Sequence, residues 1–307
     1  MSLLPNASVA ILLTTYQGQV YLPEQIQSIA QQTHRDWHLL ASDDGSTDAT
    51  CALLQDFAAT HPTTIIDGPR RGFAANFMAA LFHPMAEADY VAFSDQDDIW
   101  EPEKLARGVA ALRDIPADIP ALYGTRTRLM DTHGTPYGFS PLFTRPLHFR
   151  NALVQCFAGG NTLLMNRAAL ALLRAAGPVA VVSHDWWAYQ LISGAGGRIL
   201  YDPVPSLSYR QHGRALSGSN VGLMASLARI GQLLEGKWRR WNDVQVAALQ
   251  ASRFLLTEEN RATLDHFARA RKSLLLPRLF GLYRSGIYRQ TAPGNAGLLV
   301  AALLNRI

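Results

Sequence analysis

From Ser8 to Leu112 the chain alternates short apolar runs with segments of helical periodicity, the pattern of a parallel α/β sheet built from right-handed crossovers. Ser8 to Thr14 is a continuous apolar run, as a strand covered on both faces requires. A helix is predicted over Leu22 to Gln32, opened by Pro23 at a first-turn position with no intrahelical N–H bond to lose. Trp37 to Ala41 reads as a second strand, and Asp43-Asp44-Gly45-Ser46-Thr47-Asp48 as a turn offering N-cap residues to a helix through Phe57. Thr63 to Asp67 is a third strand, and the loop Gly68-Pro69-Arg70-Arg71-Gly72 leads into a helix over Phe73 to Phe82. Tyr90 to Phe93 is a fourth strand that runs straight into Ser94-Asp95-Gln96-Asp97-Asp98, with a helix over Pro102 to Leu112 beyond. The pattern then loosens and becomes rich in Gly, Pro and aromatics through Ser217, the texture of a substrate-facing region carried on loops. From Val221 it is helical, without repeats or low complexity, and Gly213 to Gly222 is the expected boundary. The fold class expected is α/β: a mostly parallel sheet flanked by helices, with a C-terminal helical extension.

Composition narrows the setting. With 307 residues, 48% of them hydrophobic and 17% charged, the chain can bury one substantial core and a smaller appended region. Cys51 and Cys156 lie far apart and fit no metal-ligand spacing, so a disulfide framework and a zinc site are both unsupported and a reducing compartment is expected. The start of the chain has no basic segment followed by an apolar one, so no secretory leader is expected. No run approaches the roughly 20 apolar residues of a spanning helix, and Ala296 to Leu304 is too short. A cytoplasmic protein follows as the expectation. Net charge is +4, yet residues 221–307 hold 13 Lys/Arg against 5 Asp/Glu, or +8, which leaves −4 for the first 220. From Arg269 onward there are seven basic residues and no acidic one, interleaved with Leu276, Leu279, Phe280, Leu282, Tyr283, Ile287 and Tyr288. Two readings stay open for this tail: a peripheral contact with an anionic membrane face, or a solvated helical region packed on the main domain. No nucleic-acid partner is expected.

In an open parallel sheet, ligands bind beyond the carboxyl ends of the strands, and Tyr16, Asp44 and Asp95 to Asp98 all fall at such ends. Asp95, Asp97 and Asp98 offer several hard oxygen donors at one edge, suited to a divalent cation that neutralises a diphosphate. The same residues also suit a helix-capping turn before Glu101-Pro102-Glu103. Asp43-Asp44-Gly45-Ser46 can present a carboxylate to a base N–H or simply make a capped turn. Ser183-His184-Asp185-Trp186-Trp187 sets a carboxylate beside two indoles, which suits either a base near a sugar ring or a helix start with its tryptophans in the core. In Tyr209-Arg210-Gln211-His212-Gly213, His212 can ligate a metal while Arg210 contacts a phosphate; an ordinary hydrogen-bonded histidine is the alternative.

Taken in order, Thr14-Thr15-Tyr16, Ser42-Asp43-Asp44-Gly45-Ser46-Thr47-Asp48, Ser94-Asp95-Gln96-Asp97-Asp98-Ile99-Trp100 and His184-Asp185 resemble the family 2 glycosyltransferases of the GT-A fold. The Ser-Asp-Gln-Asp-Asp-Ile-Trp string, with His-Asp-Trp-Trp and Tyr-Arg-Gln-His-Gly after it, is similar to the bacterial rhamnosyltransferase branch. The resemblance covers Ser8 to about Ser217 and extends less specifically to the tail. It implies a glycosyltransferase domain over 1–217, with a nucleotide-binding half over 1–113 and an acceptor-facing half over 114–217, followed by a helical, basic region over 218–307. It also implies that Thr14, Tyr16 and Asp44 contact the nucleoside with Asn76 near the base, and that Asp95 meets the ribose. Asp97 then binds Mg2+ or Mn2+ bridging the diphosphate, with His212 as a further ligand or phosphate contact, and Asp185 is the catalytic base. Asp98, His184, Trp186 and Arg210 are further candidates. The chain departs from the family pattern in carrying Pro69-Arg70-Arg71-Gly72 where an Asn usually precedes the glycine, and in the extra Asp98. The reaction implied is inverting transfer from a dTDP- or UDP-sugar, rhamnose foremost, to a growing surface polysaccharide or lipid-linked glycan. A non-catalytic sugar-nucleotide-binding protein of the same fold is the alternative, against which the joint presence of Asp44, Asp95, Asp97 and Asp185 argues. A dinucleotide oxidoreductase is disfavoured, because Thr-Thr-Tyr-Gln-Gly-Gln stands where Gly-x-Gly-x-x-Gly belongs.

Overall fold

A computed structural model describes residues 7–211 and 236–307. His212 and the boundary expected at Gly213 to Gly222 lie outside the described residues. The main sheet has seven strands in the order β10-β6-β9-β4-β1-β2-β3. Its members are β1 (Val9–Thr15), β2 (Trp37–Asp43), β3 (Thr63–Asp67), β4 (Tyr90–Ser94), β6 (Ala121–Thr125), β9 (Leu164–Asn166) and β10 (Arg198–Asp202). All neighbours are parallel except β9, which runs antiparallel to both β4 and β6. A second sheet joins β5 (Ile99–Trp100), β11 (Leu207–Arg210), β7 (Arg128–Met130) and β8 (Pro136–Phe139) in the order β5-β11-β7-β8.

The apolar run of β1 is explained by its central place. Ala10 and Leu12 pack into the cluster that contains Phe77 on α3 (Phe73–Phe82), while Val9, Ile11 and Leu13 pack into the one that contains Leu22 and Ile26 on α1 (Leu22–Ala30). Both faces are covered, so no polar residue is tolerated between them. α1 ends two residues before the expected Gln32 because that side chain serves two helix ends. Its amide nitrogen donates to the carbonyls of Ser28 and Glu101 at 3.2 and 2.9 Å, and its oxygen accepts from Leu105 N at 3.1 Å. Leu105 belongs to α4 (Lys104–Leu112), which starts two residues later than Pro102. α2 (Thr50–Ala58) is headed by Asp48, whose carboxylate accepts from Thr50 N at 3.0 Å.

Past β6 come α5 (Phe149–Ala152), α6 (Arg167–Ala175) and α7 (His184–Gly194), then α8 (Lys237–Ala251), α9 (Glu258–Lys272), α10 (Leu275–Ser285) and α11 (Ala292–Leu303). One hydrophobic cluster takes in Phe77, Phe93, Phe149 and Trp187 together with Val246, Leu249, Leu264, Phe267, Leu282 and Leu298 from the C-terminal helices. The outward side of α10 carries Leu276, Phe280 and Tyr283, and that of α11 carries Leu299, Val300 and Leu303, all exposed. On α10 the spacing of four and three residues draws an apolar stripe, and on α11 Leu299 and Val300 lie four and three residues before Leu303 on the same side. Arg284, also exposed, lies 6.0 Å from the Phe280 ring centre, and exposed Lys272 ends α9 just before α10. Among the described residues no helix is long and apolar enough to cross a membrane.

Candidate active site

A cleft of about 1200 Å³ opens along the carboxyl edge of the main sheet, lined by strand ends, the loop before α3, the start of α7 and the Phe157–Asn161 segment. Thr14, Tyr16, Asp44, Asn76, Asp95, Asp97, His184 and Asp185 all line it, so sequence positions from 14 to 185 converge on one cavity. Asp98, Trp186 and Arg210 do not, and each has a different occupation.

At one end of the cleft, β2 delivers two carboxylates with separate duties. Although burial opposes it, hydrogen bonds from Ser46, Thr15 and Gly45 hold the Asp43 carboxyl below its usual range. Asp44 accepts from the backbone N–H groups of Arg70 at 2.6 Å and Gly72 at 2.7 Å, pinning the loop before α3. Arg70 adopts φ 55° there, and its side chain lines the cleft against Gly45. The departure noted in sequence therefore puts a cation where the family pattern puts an amide. Asp44 still has lone pairs for a ligand, since a carboxylate can accept about four hydrogen bonds. Asn76 faces the cleft, but its amide is shared with β2: Nδ2 donates to Ser42 O at 2.9 Å and Oδ1 accepts from Ser42 Oγ at 2.5 Å. Tyr16 is 58% exposed at the lip, a free aromatic face for a planar ring.

The acidic turn after β4 is held from three sides. Gln96 pairs with the backbone of Tyr16, accepting from its N–H at 2.9 Å and donating to its carbonyl at 3.0 Å. A Cβ at Gly18 would lie 2.4 Å from Gln96 Oε1, so this clamp requires glycine there. We expect Gly18→Ala to break both bonds and cost about 1–2 kcal/mol in urea-induced unfolding; an unchanged unfolding midpoint would show that the clamp contributes nothing. From α1, Gln25 braces the turn with its amide nitrogen toward Asp98 O at 2.6 Å and its oxygen accepting from Trp100 Nε1 at 3.1 Å. Arg210, only 2% exposed, spans the third side. Its Nε donates to Asp97 O at 3.1 Å, its Nη1 to Thr132 O at 3.1 Å and its Nη2 to Glu24, and its Cζ lies 4.6 Å from the Tyr21 ring centre. With its donors committed in this way, Arg210 positions the turn.

The three acidic side chains differ in environment. Asp98 is fully buried and accepts from Asn161 Nδ2 at 2.5 Å and Arg210 N at 3.3 Å. Burial, then the charges of Asp97 and Asp95, push its carboxyl well above the usual range. Asp95 lies in the floor of the cleft, where burial and the charges of Asp97 and Asp185 raise it to about 8. Asp97 is the third member of this set and also lines the cavity. Two carboxylates thus face the cleft, and among the described residues no three metal-ligating side chains come together.

Opposite stands the first turn of α7. Asp185 accepts from Gly160 N at 3.1 Å and from Trp186 N at 2.7 Å. Trp186 donates its indole N–H to Ala152 O at 2.6 Å, and Trp187 is fully buried, so both indoles serve packing. The residues that sequence reasoning missed are Gly18, Gln25, Gln96, Arg70, Gly160 and Asn161. The Gly159-Gly160 pair ahead of a polar Asn was the one local signal among them.

A seven-stranded, mostly parallel sheet flanked by helices, with an acidic turn at its carboxyl edge, is the architecture of the GT-A fold. The solved structures agree: the chain matches S. aureus TarS 1-349 in complex with UDP-GlcNAc with a TM-score of 0.55 at 17% identity, covering 92% of this chain and 93% of that one. A mannosyltransferase, PcManGT from Pyrobaculum calidifontis in complex with GDP-Man and Mn2+, matches with 0.52 at 19% identity, covering 98% and 86%. The family model for glycosyl transferase family 2 matches residues 10–172, and the chain belongs to that family. Among curated relatives, the dTDP-rhamnosyl transferase RfbG of Shigella flexneri is 26% identical over 254 residues, 76% of this chain and 83% of the relative. The UDP-Glc:alpha-D-GlcNAc-diphosphoundecaprenol beta-1,3-glucosyltransferase WfgD of Escherichia coli is 25% identical over 162 residues, covering 53% and 61%.

Proposed function

We propose that the protein transfers a sugar, rhamnose foremost, from a dTDP- or UDP-linked donor to a hydroxyl of a surface polysaccharide or lipid-linked glycan, inverting the anomeric centre. The observation that carries this reading is the placement of Asp185 across one cleft from Asp95 and Asp97. The nucleoside lies against Thr14, Tyr16, Asp44 and Asn76, and Asp95 takes the ribose. Asp97 would hold Mg2+ or Mn2+, its oxygens suiting a hard cation, with diphosphate oxygens and His212 available to complete the shell. Such a cation, when bound, neutralises the charge that develops on the departing diphosphate. Asp185 removes the acceptor proton as its oxygen attacks the anomeric carbon from the face opposite the diphosphate. Gly160 N, by donating to one Asp185 oxygen, fixes the carboxylate's orientation for that task. The RfbG likeness supports the choice of dTDP-rhamnose. Release of nucleotide diphosphate, screened over dTDP-rhamnose and other dTDP-, UDP- and GDP-sugars with and without manganese, tests the reading; release from none of them would remove it.

The same reading places the C-terminal region on an anionic membrane face, where a lipid-linked acceptor would be met. Apolar stripes on α10 and α11 flanked by basic residues, with no acidic residue after Arg269, support it. Each basic residue near such a surface contributes about 1 kcal/mol. We expect sedimentation with anionic liposomes at low salt, loss of binding at high salt, and little binding to neutral liposomes. Indifference to both lipids would leave these helices as packing elements.

A further inference from the structure

His184 is a side chain in the cleft that packing alone does not account for. It is 4% exposed, and it belongs to the cleft lining. Its ring stacks on Phe77 with centres 3.7 Å apart and meets the edges of Phe93 at 4.6 Å and Phe73 at 6.3 Å. Neither Nδ1 nor Nε2 has a hydrogen-bond partner. Buried polar groups are almost always paired, so two orphaned ring nitrogens in a cage of phenyl rings call for a partner that arrives from outside. A phenylalanine would fill this cage without that cost.

We propose that His184 is a specificity residue that hydrogen-bonds a hydroxyl of the donor sugar. This inference rests on the sugar-transfer reading above and adds to it the group that reads the sugar. Burial holds the imidazole neutral, with its pKa lowered to about 4 although Asp185 opposes this. A neutral imidazole offers one donor and one acceptor, which suits a hydroxyl and suits a phosphate poorly. The position selects the part of the ligand. His184 immediately precedes Asp185, and a Cβ at Gly160 would lie 2.3 Å from His184 Nε2 and 3.4 Å from Asp185 Cβ. The glycine thus lets imidazole and carboxylate stand side by side. Because His184 adjoins Asp185, which on the reading above faces the reacting carbon, the sugar it meets is the donor's.

The test uses the whole protein, wild type, His184→Phe and His184→Gln, with free UDP and dTDP, the sugar nucleotide that wild type turns over, and deoxy analogues of that donor. We expect His184→Phe to melt no lower than wild type and to bind free nucleotide within about twofold, while its KM for the sugar nucleotide rises about tenfold or more. His184→Gln, which keeps a donor and an acceptor, should recover part of that loss. One deoxy donor should bring wild type down to the level of His184→Phe. Equal kinetics for wild type and His184→Phe would overturn the assignment, as would a rise confined to the acceptor KM or an equal loss for free nucleotide. A wild type that turns over no sugar nucleotide is a different failure, because it removes the transfer reading itself and this inference with it.

Discussion

Replacing Asp185 with Asn is expected to leave donor affinity within a few-fold of wild type and to slow sugar transfer by about 100-fold or more. On the proposed reading the donor is held by the Asp44 end of the cleft and the acidic turn, whereas a base acts on the acceptor alone, so the two functions separate by mutation. The geometry makes this variant a clean one. Asp185 accepts one bond from Gly160 N and one from Trp186 N, and an Asn carbonyl oxygen can keep one of these. Loss of a carboxylate from the first turn of α7 costs about 1 kcal/mol through the helix dipole and the missing bond. A residue that only capped the helix would show that same stability loss with normal turnover per folded molecule. Single-turnover transfer, nucleotide affinity and melting temperature measured together decide the matter; normal transfer removes Asp185 from the mechanism.

Asp97→Asn is expected to abolish the rise in melting temperature that UDP or dTDP gives with Mn2+, while the unliganded protein melts at or slightly above the wild-type temperature. A ligand at 100 times its Kd stabilises the native state by about 2.7 kcal/mol, so the lost effect is large enough to read. The second half of the expectation comes from electrostatics. The Asp97 charge is among those that raise both Asp95 and Asp98, a like-charge stress that the amide relieves. Nucleotide binding equally tight in EDTA would overturn the metal assignment.

The nucleotide half of the fold was legible because its signals are local. Thr63 to Asp67 and Phe73 to Phe82 were read with the bounds they have, and the other early elements differ by a few residues at their ends. A strand buried on both faces must be apolar throughout, and a sequence shows that directly. The short strands β5, β7, β8, β9 and β11 were not legible, since two to four residues carry no period. Nor was the reversal of β9, because pairing direction leaves no trace in a three-residue stretch. Among site residues, the acidic cluster, Tyr16, Asp44 and Asp185 could be named from motif order. What each touches could not. Arg210 reaches Glu24 across 186 positions, Asn161 reaches Asp98 across 63, and the orphaned nitrogens of His184 exist only because Phe73, Phe77 and Phe93 surround it. Long-range packing decides these duties, and no local pattern encodes it.

The reversed strand sets a dimension of the catalytic centre. A parallel strand brings its chain to the carboxyl edge only on leaving the sheet, as β4 does before Asp95. Because β9 runs the other way, the chain reaches that edge before the strand begins, and the Gly159–Thr162 segment lies beside the acidic turn. Asn161 ties the two together through Asp98, and Gly160, one residue earlier, holds the Asp185 carboxylate. The span from Asp185 to the acidic turn is therefore set by the register of Leu164 against Ala92. A ladder of backbone hydrogen bonds acts as the ruler between the two sides of the cleft, so the loops around it can vary while that spacing stays fixed.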